Sequence, residues 1–313
     1  MNTTTTASPI RASAEADEAD DGGPATQPGP VPELVIDDVD VFIDGVGPQT
    51  VVMVHGWPDT PALWDGTVAA LVPEWRCVRF HLPGFDLARG PRPMSQSDIV
   101  ALIARIVDAV SPDQRVTLLL HDWGCAFGYT YAKRHTDRVA RIVALDIGDV
   151  GSTDYFESLG WREKLMISGY QFWLAVAWSL GPYAPSLANR MTRWMARKIG
   201  CRNDPALIGW EMNYPYAMRW FNAFGGLRGA GHADRLIGEN LPGLFVYGRR
   251  KPFMFHSSRW VRHLNRTTGC AAKSLDTGHW IMKQKPAEFH AVLKDWLANV
   301  TQPASSSSPT PKA

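Results

Sequence analysis

The sequence predicts an α/β fold: a mostly parallel, twisted sheet flanked by helices, with a helical segment inserted after the sixth strand. Three observations predict it. Short apolar runs of strand length alternate with segments of helical spacing, the pattern of a parallel sheet covered on both faces. That rhythm stops over residues 150–241 and resumes beyond them. Three of the strands run straight into short turns rich in His, Trp and Gly.

In chain order, Val35–Ile43 reads as an early strand, and Val51–Val54 is an apolar run that stops at His55-Gly56-Trp57-Pro58. Cys77–Leu82 is a further strand, ending at Pro83-Gly84. Ile99–Val110 has helical spacing, Val116–Leu120 is fully apolar, and Gly124–His135 reads as the helix that follows it. Val139–Leu145, Leu244–Tyr247 and Ala271–Leu275 complete the strands. Pro286–Val300 closes the chain's ordered part, with Phe289, Val292, Leu293, Trp296 and Leu297 on one helical face.

Residues 150–241 hold six of the thirteen Trp and five of the eight Tyr. Such a segment suits a helical lid over the carboxyl edge of the sheet, where open α/β sheets bind ligands, and its aromatics suit an apolar pocket or the lid's own core. The expected organisation is therefore an acidic disordered tail at 1–33, core at 34–149, lid at 150–241, core again at 242–300 and a second tail at 301–313.

Composition excludes several classes. The chain has 313 residues, 45% hydrophobic and 20% charged, with a formal net charge of +1. This is a globular composition, and it gives no basic excess for a nucleic-acid partner. No run approaches the ~18 uncharged apolar residues of a membrane span, so no integral membrane association is expected. Cys77, Cys125, Cys201 and Cys270 are far apart and form no metal-ligand spacing. They read as free thiols of a reducing compartment, and the N-terminal segment lacks a signal-type apolar core. A cytoplasmic location follows as the expectation. The oligomeric state, monomer or homodimer, stays open.

The chemistry centres on Leu118-Leu119-Leu120-His121-Asp122-Trp123-Gly124-Cys125-Ala126. An apolar strand, a sharp turn and a helix of small residues form the context of a nucleophile elbow, with Asp122 where the common motif has Ser. A carboxylate is ionised at neutral pH without an activating base. It attacks saturated carbon and leaves an ester that an activated water can hydrolyse.

His55-Gly56-Trp57-Pro58, His121-Asp122-Trp123-Gly124 and Gly278-His279-Trp280 together resemble the α/β-hydrolase superfamily, in the branch of epoxide hydrolases and haloalkane dehalogenases. The resemblance covers roughly residues 34–300. It implies the α/β-hydrolase fold with a helical cap, no cofactor, no metal and a small apolar substrate. It also implies roles: Asp122 as nucleophile, His279 as general base on water, and the backbone N–H groups of Trp57 and Trp123 as the oxyanion hole. In the lid, Tyr170-Gln171 is similar to the Tyr-Gln of soluble epoxide hydrolases, 48 residues beyond the nucleophile. The run Met212-Asn213-Tyr214-Pro215-Tyr216 offers the second epoxide-oxygen donor, Tyr216 in preference to Tyr214.

The sequence departs from that pattern in two places. Leu120 stands where epoxide hydrolases usually have Gly. The usual acid position after the next core strand is Lys251, in Gly248-Arg249-Arg250-Lys251, and residues 242–275 contain no Asp or Glu. The acid is expected instead at Asp146, 24 residues after Asp122 as in one dehalogenase subgroup, with Asp149 as second choice. Lys251 is then a surface charge or a partner of one of these two. His55 and His121 are expected to brace the turns. An epoxide hydrolase is the first reading. A haloalkane dehalogenase is the alternative, against which Trp57 stands in place of the Asn that holds halide. A catalytically silent scaffold is the third.

Overall fold

In the computed structural model, the described residues are 31–300; the tails expected at 1–33 and 301–313 lie, but for residues 31–33, outside them. The chain forms the expected α/β-hydrolase fold. Eight strands make one sheet: β1 (Leu34–Ile36), β2 (Val39–Asp44), β3 (Gln49–Val54), β4 (Trp75–Phe80), β5 (Val116–His121), β6 (Val139–Leu145), β7 (Gly243–Gly248) and β8 (Ala271–Leu275). Their order is β1-β2-β4-β3-β5-β6-β7-β8. The first two strands pair antiparallel, β2 meets β4 antiparallel, and every later pairing is parallel.

The flanking helices are α1 (Asp65–Leu71), α2 (Gln96–Val110) and α3 (Trp123–Arg134) in the first half of the chain. The insertion after β6 holds α4 (Thr153–Ser158), α5 (Trp161–Leu180), α6 (Pro185–Lys198) and α7 (Tyr214–Phe221). The second half of the core adds α8 (Ser258–Leu264), α9 (Ile281–Gln284) and α10 (Pro286–Asn299). Helices α2 and α3 pack on each other, as do α1 and α10. The central strands β5 and β6 are buried along their whole length, which is why they read as unbroken apolar runs.

One sequence expectation needs correction. Val35–Ile43 is not one strand but two, β1 and β2, joined by Asp37-Asp38 with Ile36 opposite Val39. Both aspartates have positive φ, 49° and 54°, as a two-residue hairpin turn requires. Aspartate tolerates this backbone better than most residues, and Arg105 holds the Asp37 carboxylate.

Register brings the functional turns to one edge. Val54 pairs with Leu120, His121 with Leu145, Leu145 with Val246, and Gly248 with Leu275. The segments just past these residues carry Trp57, Asp122, Asp146, Lys251 and His279. Each therefore leaves the sheet at its carboxyl end. Two glycines let the turns interlock. A Cβ on Gly124 would collide with the carbonyls of Val54 and His55, and a Cβ on Gly56 with Asp122 and the Trp123 backbone. Leu120, the bulky departure from the family pattern, is accommodated because Gly128 on α3 leaves room for its side chain.

The colliding atoms at Gly124 are backbone and cannot give way. Gly124→Ala should therefore lower the unfolding free energy by roughly 1–3 kcal/mol, the usual cost of overpacking, despite alanine's better helix propensity. Urea denaturation checks this, and an unchanged or raised midpoint would show that α3 does not need its present approach to β3.

Candidate active site

Asp122 sits between β5 and α3 with φ 52° and ψ −125°, a conformation costly for any residue with a side chain. That geometry projects its carboxylate past the sheet edge. The Trp57 N–H donates to its Oδ1 at 2.7 Å, and the Trp123 N–H also donates to it. On the other side, Nε2 of His279 stands 3.5 Å from Oδ2. Burial alone would raise the Asp122 pKa. The hydrogen bond and charge of His279, with His121 and the Trp123 N–H, outweigh burial and hold the carboxyl below the ordinary range.

His279 is joined on its far side to Asp146, with Nδ1 at 2.5 Å from Oδ2. Asp146 is fully buried and has a positive φ of 68°. Its Oδ1 accepts the Gly248 N–H at 3.1 Å and pairs with the Lys251 ammonium, itself buried. The position where the family pattern has an acid thus holds the cation that neutralises the acid on the neighbouring strand. Burial would raise Asp146, but Lys251 and His279 force it far below the ordinary carboxylate range. Burial would likewise lower His279. Its bonds to Asp122 and Asp146 win and push it up to about 9. At neutral pH the row Asp122, His279, Asp146, Lys251 alternates in charge.

Asp149, the second choice for the acid, does not reach His279. Its carboxylate accepts the Ser257 N–H and hydroxyl, both at 2.7 Å, and the Ser152 hydroxyl at 2.8 Å. It ties the chain entering the lid to the start of α8. His55 and His121 lie where bracing groups are needed. Burial lowers both to about 3, so both are neutral. His55 Nε2 accepts the Leu82 N–H at 3.1 Å. His121 Nε2 donates to the His279 carbonyl at 3.2 Å, and its ring lies 4.4 Å from that of His279.

A cavity of about 600 Å³ opens over Asp122. Its wall includes Trp123, Tyr155, Tyr170, Tyr216 and Phe255. Tyr170 on α5 and Tyr216 on α7 face each other with ring centroids 6.2 Å apart. The Tyr170 hydroxyl accepts from Gln171 Nε2 at 3.2 Å, and the Tyr216 ring stands edge-on to that of Trp123 at 5.3 Å between centroids. Burial, then the Asp122 charge, raise Tyr216; burial also dominates the rise of Tyr170. Both keep their protons. Tyr214, two residues before Tyr216 on a helix, points the other way and packs on Phe85 at 6.1 Å.

Sequence reasoning missed the polar residues that seat the lid. The Trp57 indole donates to Asn213 Oδ1 at 2.7 Å, and Asn213 Nδ2 donates to Thr192 at 2.7 Å. Asp59, fully buried, accepts the Trp280 indole at 2.9 Å and Asn203 of the insertion at 2.8 Å. Burial, partly offset by these donors, raises the Asp59 pKa. Asp59 follows His55-Gly56-Trp57-Pro58 directly, the only sequence signal that pointed to it. Among the described residues no cluster of His, Cys, Asp and Glu is arranged to hold a metal ion, and no helix is long and apolar enough to cross a membrane.

Comparison with known proteins agrees with this fold. A family model for the alpha/beta hydrolase fold matches residues 49–197. Over 102 residues the chain is 40% identical to "Probable oxidoreductase EphD" of Mycobacterium tuberculosis, covering 31% of this chain but 17% of that protein. Over 110 residues it is 33% identical to a haloalkane dehalogenase of Mycolicibacterium smegmatis, covering 34% of this chain and 35% of that one. Its fold is similar to that of an epoxide hydrolase from Bacillus megaterium, with a TM-score of 0.62 at 18% identity over 83% of this chain and 96% of the other. The chain thus has an α/β-hydrolase fold related to epoxide hydrolase and haloalkane dehalogenase-like proteins at low sequence identity.

The imidazole titration has a consequence for stability. His279 rises from 6.5 to about 9 on folding, so its contribution is complete below pH 6.5 and is lost as pH climbs through 9. The loss should be about 3 kcal/mol. Urea unfolding from pH 6.5 to above 9 should show this decline in the native sequence and not in His279→Gln. Parallel curves for the two proteins would mean that the buried ion pairs do not hold the imidazole cationic.

Proposed function

We propose that the chain is a cofactor-free hydrolase that opens epoxides to diols through an ester on Asp122. One observation carries the reading: two lid tyrosines that keep their protons share a cavity with Asp122, and the hydroxyl oxygen of Tyr170 is already engaged by an N–H group. Their protons are then free for an acceptor in the cavity. An epoxide oxygen is such an acceptor, and an alkoxide is a poor leaving group without a proton.

In the proposed reaction Asp122 Oδ2 attacks an epoxide carbon, the C–O bond breaks, and a tyrosine proton passes to the departing oxygen. The ester removes the negative charge of Asp122 and with it one of the two interactions that raise His279. The imidazolium then loses its proton, which restores the tyrosine. Neutral His279 takes a proton from water, and the hydroxide formed attacks the ester carbon. The negative charge that develops on Oδ1 faces the Trp57 N–H, already bonded to that oxygen, with the Trp123 N–H beside the same carboxylate. Collapse of this intermediate releases the second diol oxygen, which takes the proton from His279; the proton of the added hydroxyl then passes to His279, leaving Asp122 ionised and the imidazolium restored. Asp146 fixes the imidazole tautomer throughout, and Lys251 keeps Asp146 ionised.

The haloalkane reading finds less support. A halide needs N–H donors in the cavity, yet the Trp57 indole is bonded to Asn213.

Two experiments test the proposal. Intact mass of His279→Gln after incubation with an aryl epoxide should show an adduct of the whole epoxide mapping to Asp122. A bromoalkane adduct with bromide release, and none from the epoxide, would replace the proposal with the dehalogenase reading. In the second, Asp146→Asn should cut turnover by roughly 10³–10⁴-fold, as for a triad acid. Asp149→Asn should cost stability by about 1–3 kcal/mol through lost buried hydrogen bonds but leave per-molecule turnover within a few-fold. The reverse pattern would exclude Asp146 as the acid.

A further inference from the structure

The outer surface of the insertion is unlike that of an ordinary soluble helix pair. On α5 large apolar residues face away from the cavity: Trp161 is 71% exposed, Leu165 one turn on is 65% exposed, and Met166 beside it is exposed as well. The stripe continues at helical spacing to Phe172 and Trp173. It then spreads sideways, because Trp173 packs on Trp194 of α6 at 5.3 Å and Phe172 on Trp220 and Phe221 of α7 at 5.5 and 5.9 Å. Trp194 is 50% exposed. An apolar face therefore runs from Trp161 to Trp173, about 18 Å along the helix, and exceeds the scattered apolar exposure of a soluble monomer.

The charges around this face have one sign. Of the seven bases on α5, α6 and α7, Lys164 and Arg219 line the cavity and Arg193 bonds the Ile208 carbonyl; Arg162, Arg190, Arg197 and Lys198 are exposed, against a single acid, Glu163. Glu163 is already bonded to the Gly160 N–H. Lys198 lies over the Trp194 ring at 5.2 Å and Arg162 over Trp161 at 5.3 Å, so cations and indoles are interleaved. This arrangement decides between occupants. A second copy docking the same face in two-fold symmetry would set these bases against their own copies with almost no acid to separate them. An anionic bilayer surface offers phosphate oxygens to the bases, a polar–apolar boundary to the indoles, and acyl chains to Leu165, Met166 and Phe172.

We propose that the outer face of α5, α6 and α7 docks peripherally on anionic membrane surfaces. The opposite face of α5 contributes Ile167, Ser168 and Tyr170 to the cavity wall. One helix thereby lies between bilayer and cavity, and the exposed rim residues Phe156 and Lys164 flank the start of its apolar stripe. On the proposed hydrolase reading an apolar substrate would reach Asp122 from the membrane. The docking itself is independent of that reading.

Flotation of the purified full chain with two kinds of vesicle tests the proposal: phosphatidylcholine alone, and phosphatidylcholine with phosphatidylglycerol in equal parts. The chain should float with the anionic vesicles, with a blue shift of tryptophan emission, and much less with the neutral ones. Raised salt should weaken binding. Arg197→Glu with Lys198→Glu, and separately Trp161→Ser with Leu165→Ser, should each weaken it about tenfold or more. These are surface positions, and an unchanged thermal melt verifies folding. Failure to float with either vesicle would overturn the proposal. So would a stable dimer by sedimentation that the serine variant dissolves without any vesicle binding, since the face would then belong to a second copy. Binding abolished by the glutamate pair but untouched by the serine pair would also overturn it, because simple charge adsorption needs no apolar face.

Discussion

Two buried carboxylates at neighbouring strand ends are the constraint from which the site's geometry follows. Asp122 and Asp146 are each too buried to be charged alone, and each is held ionised by a cation that the fold places between or beside them. His279 lies between the two, and Lys251 closes the row beyond Asp146. Remove any member and its neighbour becomes an uncompensated buried charge, costlier than the loss of the pair itself. The positive φ values at Asp122 and Asp146 are tolerable on the same ground. A strained backbone of this kind persists only where surrounding contacts over-determine it, and here the N–H groups of Trp57, Trp123 and Gly248 converge on the two carboxylates.

The same row accounts for the position of the acid. The charge of the acid and the charge of Lys251 sit on adjacent strands, β6 and β7, whose ends are in register. An acid at the end of either strand reaches the same imidazole nitrogen. Placing it after β6 leaves the end of β7 free to carry the neutralising cation, and the pair remains intact. The apparent loss in the sequence, a lysine where the family pattern has an acid, is therefore an exchange of sites within one electrostatic unit.

Much of this was legible in the residues because local patterns carry it. Apolar runs ending in Gly-containing turns located the strand ends, and resemblance to one dehalogenase subgroup pointed to Asp146 ahead of Asp149. What stayed illegible depends on phase or distance. Asp37-Asp38 looked like polar alternation within a strand, since aspartate serves both a solvent face and a hairpin turn. Tyr214 and Tyr216 could not be separated because the helix start, on which their directions depend, is not marked between Asn213 and Pro215. Asn213 and Asp59 left almost no signal. Their partners are 156 and 144 residues away in sequence, and a lone buried Asn or Asp has no periodicity.

Helix α5 shows how far the insertion's composition can be divided between two tasks. Its aromatic content had suggested a dry lid over an apolar pocket. Only part of it serves that purpose: Tyr170 turns inward beside Gln171, while Trp161, Phe172 and Trp173 turn outward. An outward aromatic side costs a free protein solubility, and neither the lid's packing nor the proposed chemistry needs it. Nor does the cavity need the bases of α6, which lie away from Asp122 and interleave with exposed indoles. A helix that is apolar on both faces has two apolar environments to meet. The cavity is one, and the cationic rim of the other face selects a surface that is negative outside and apolar within.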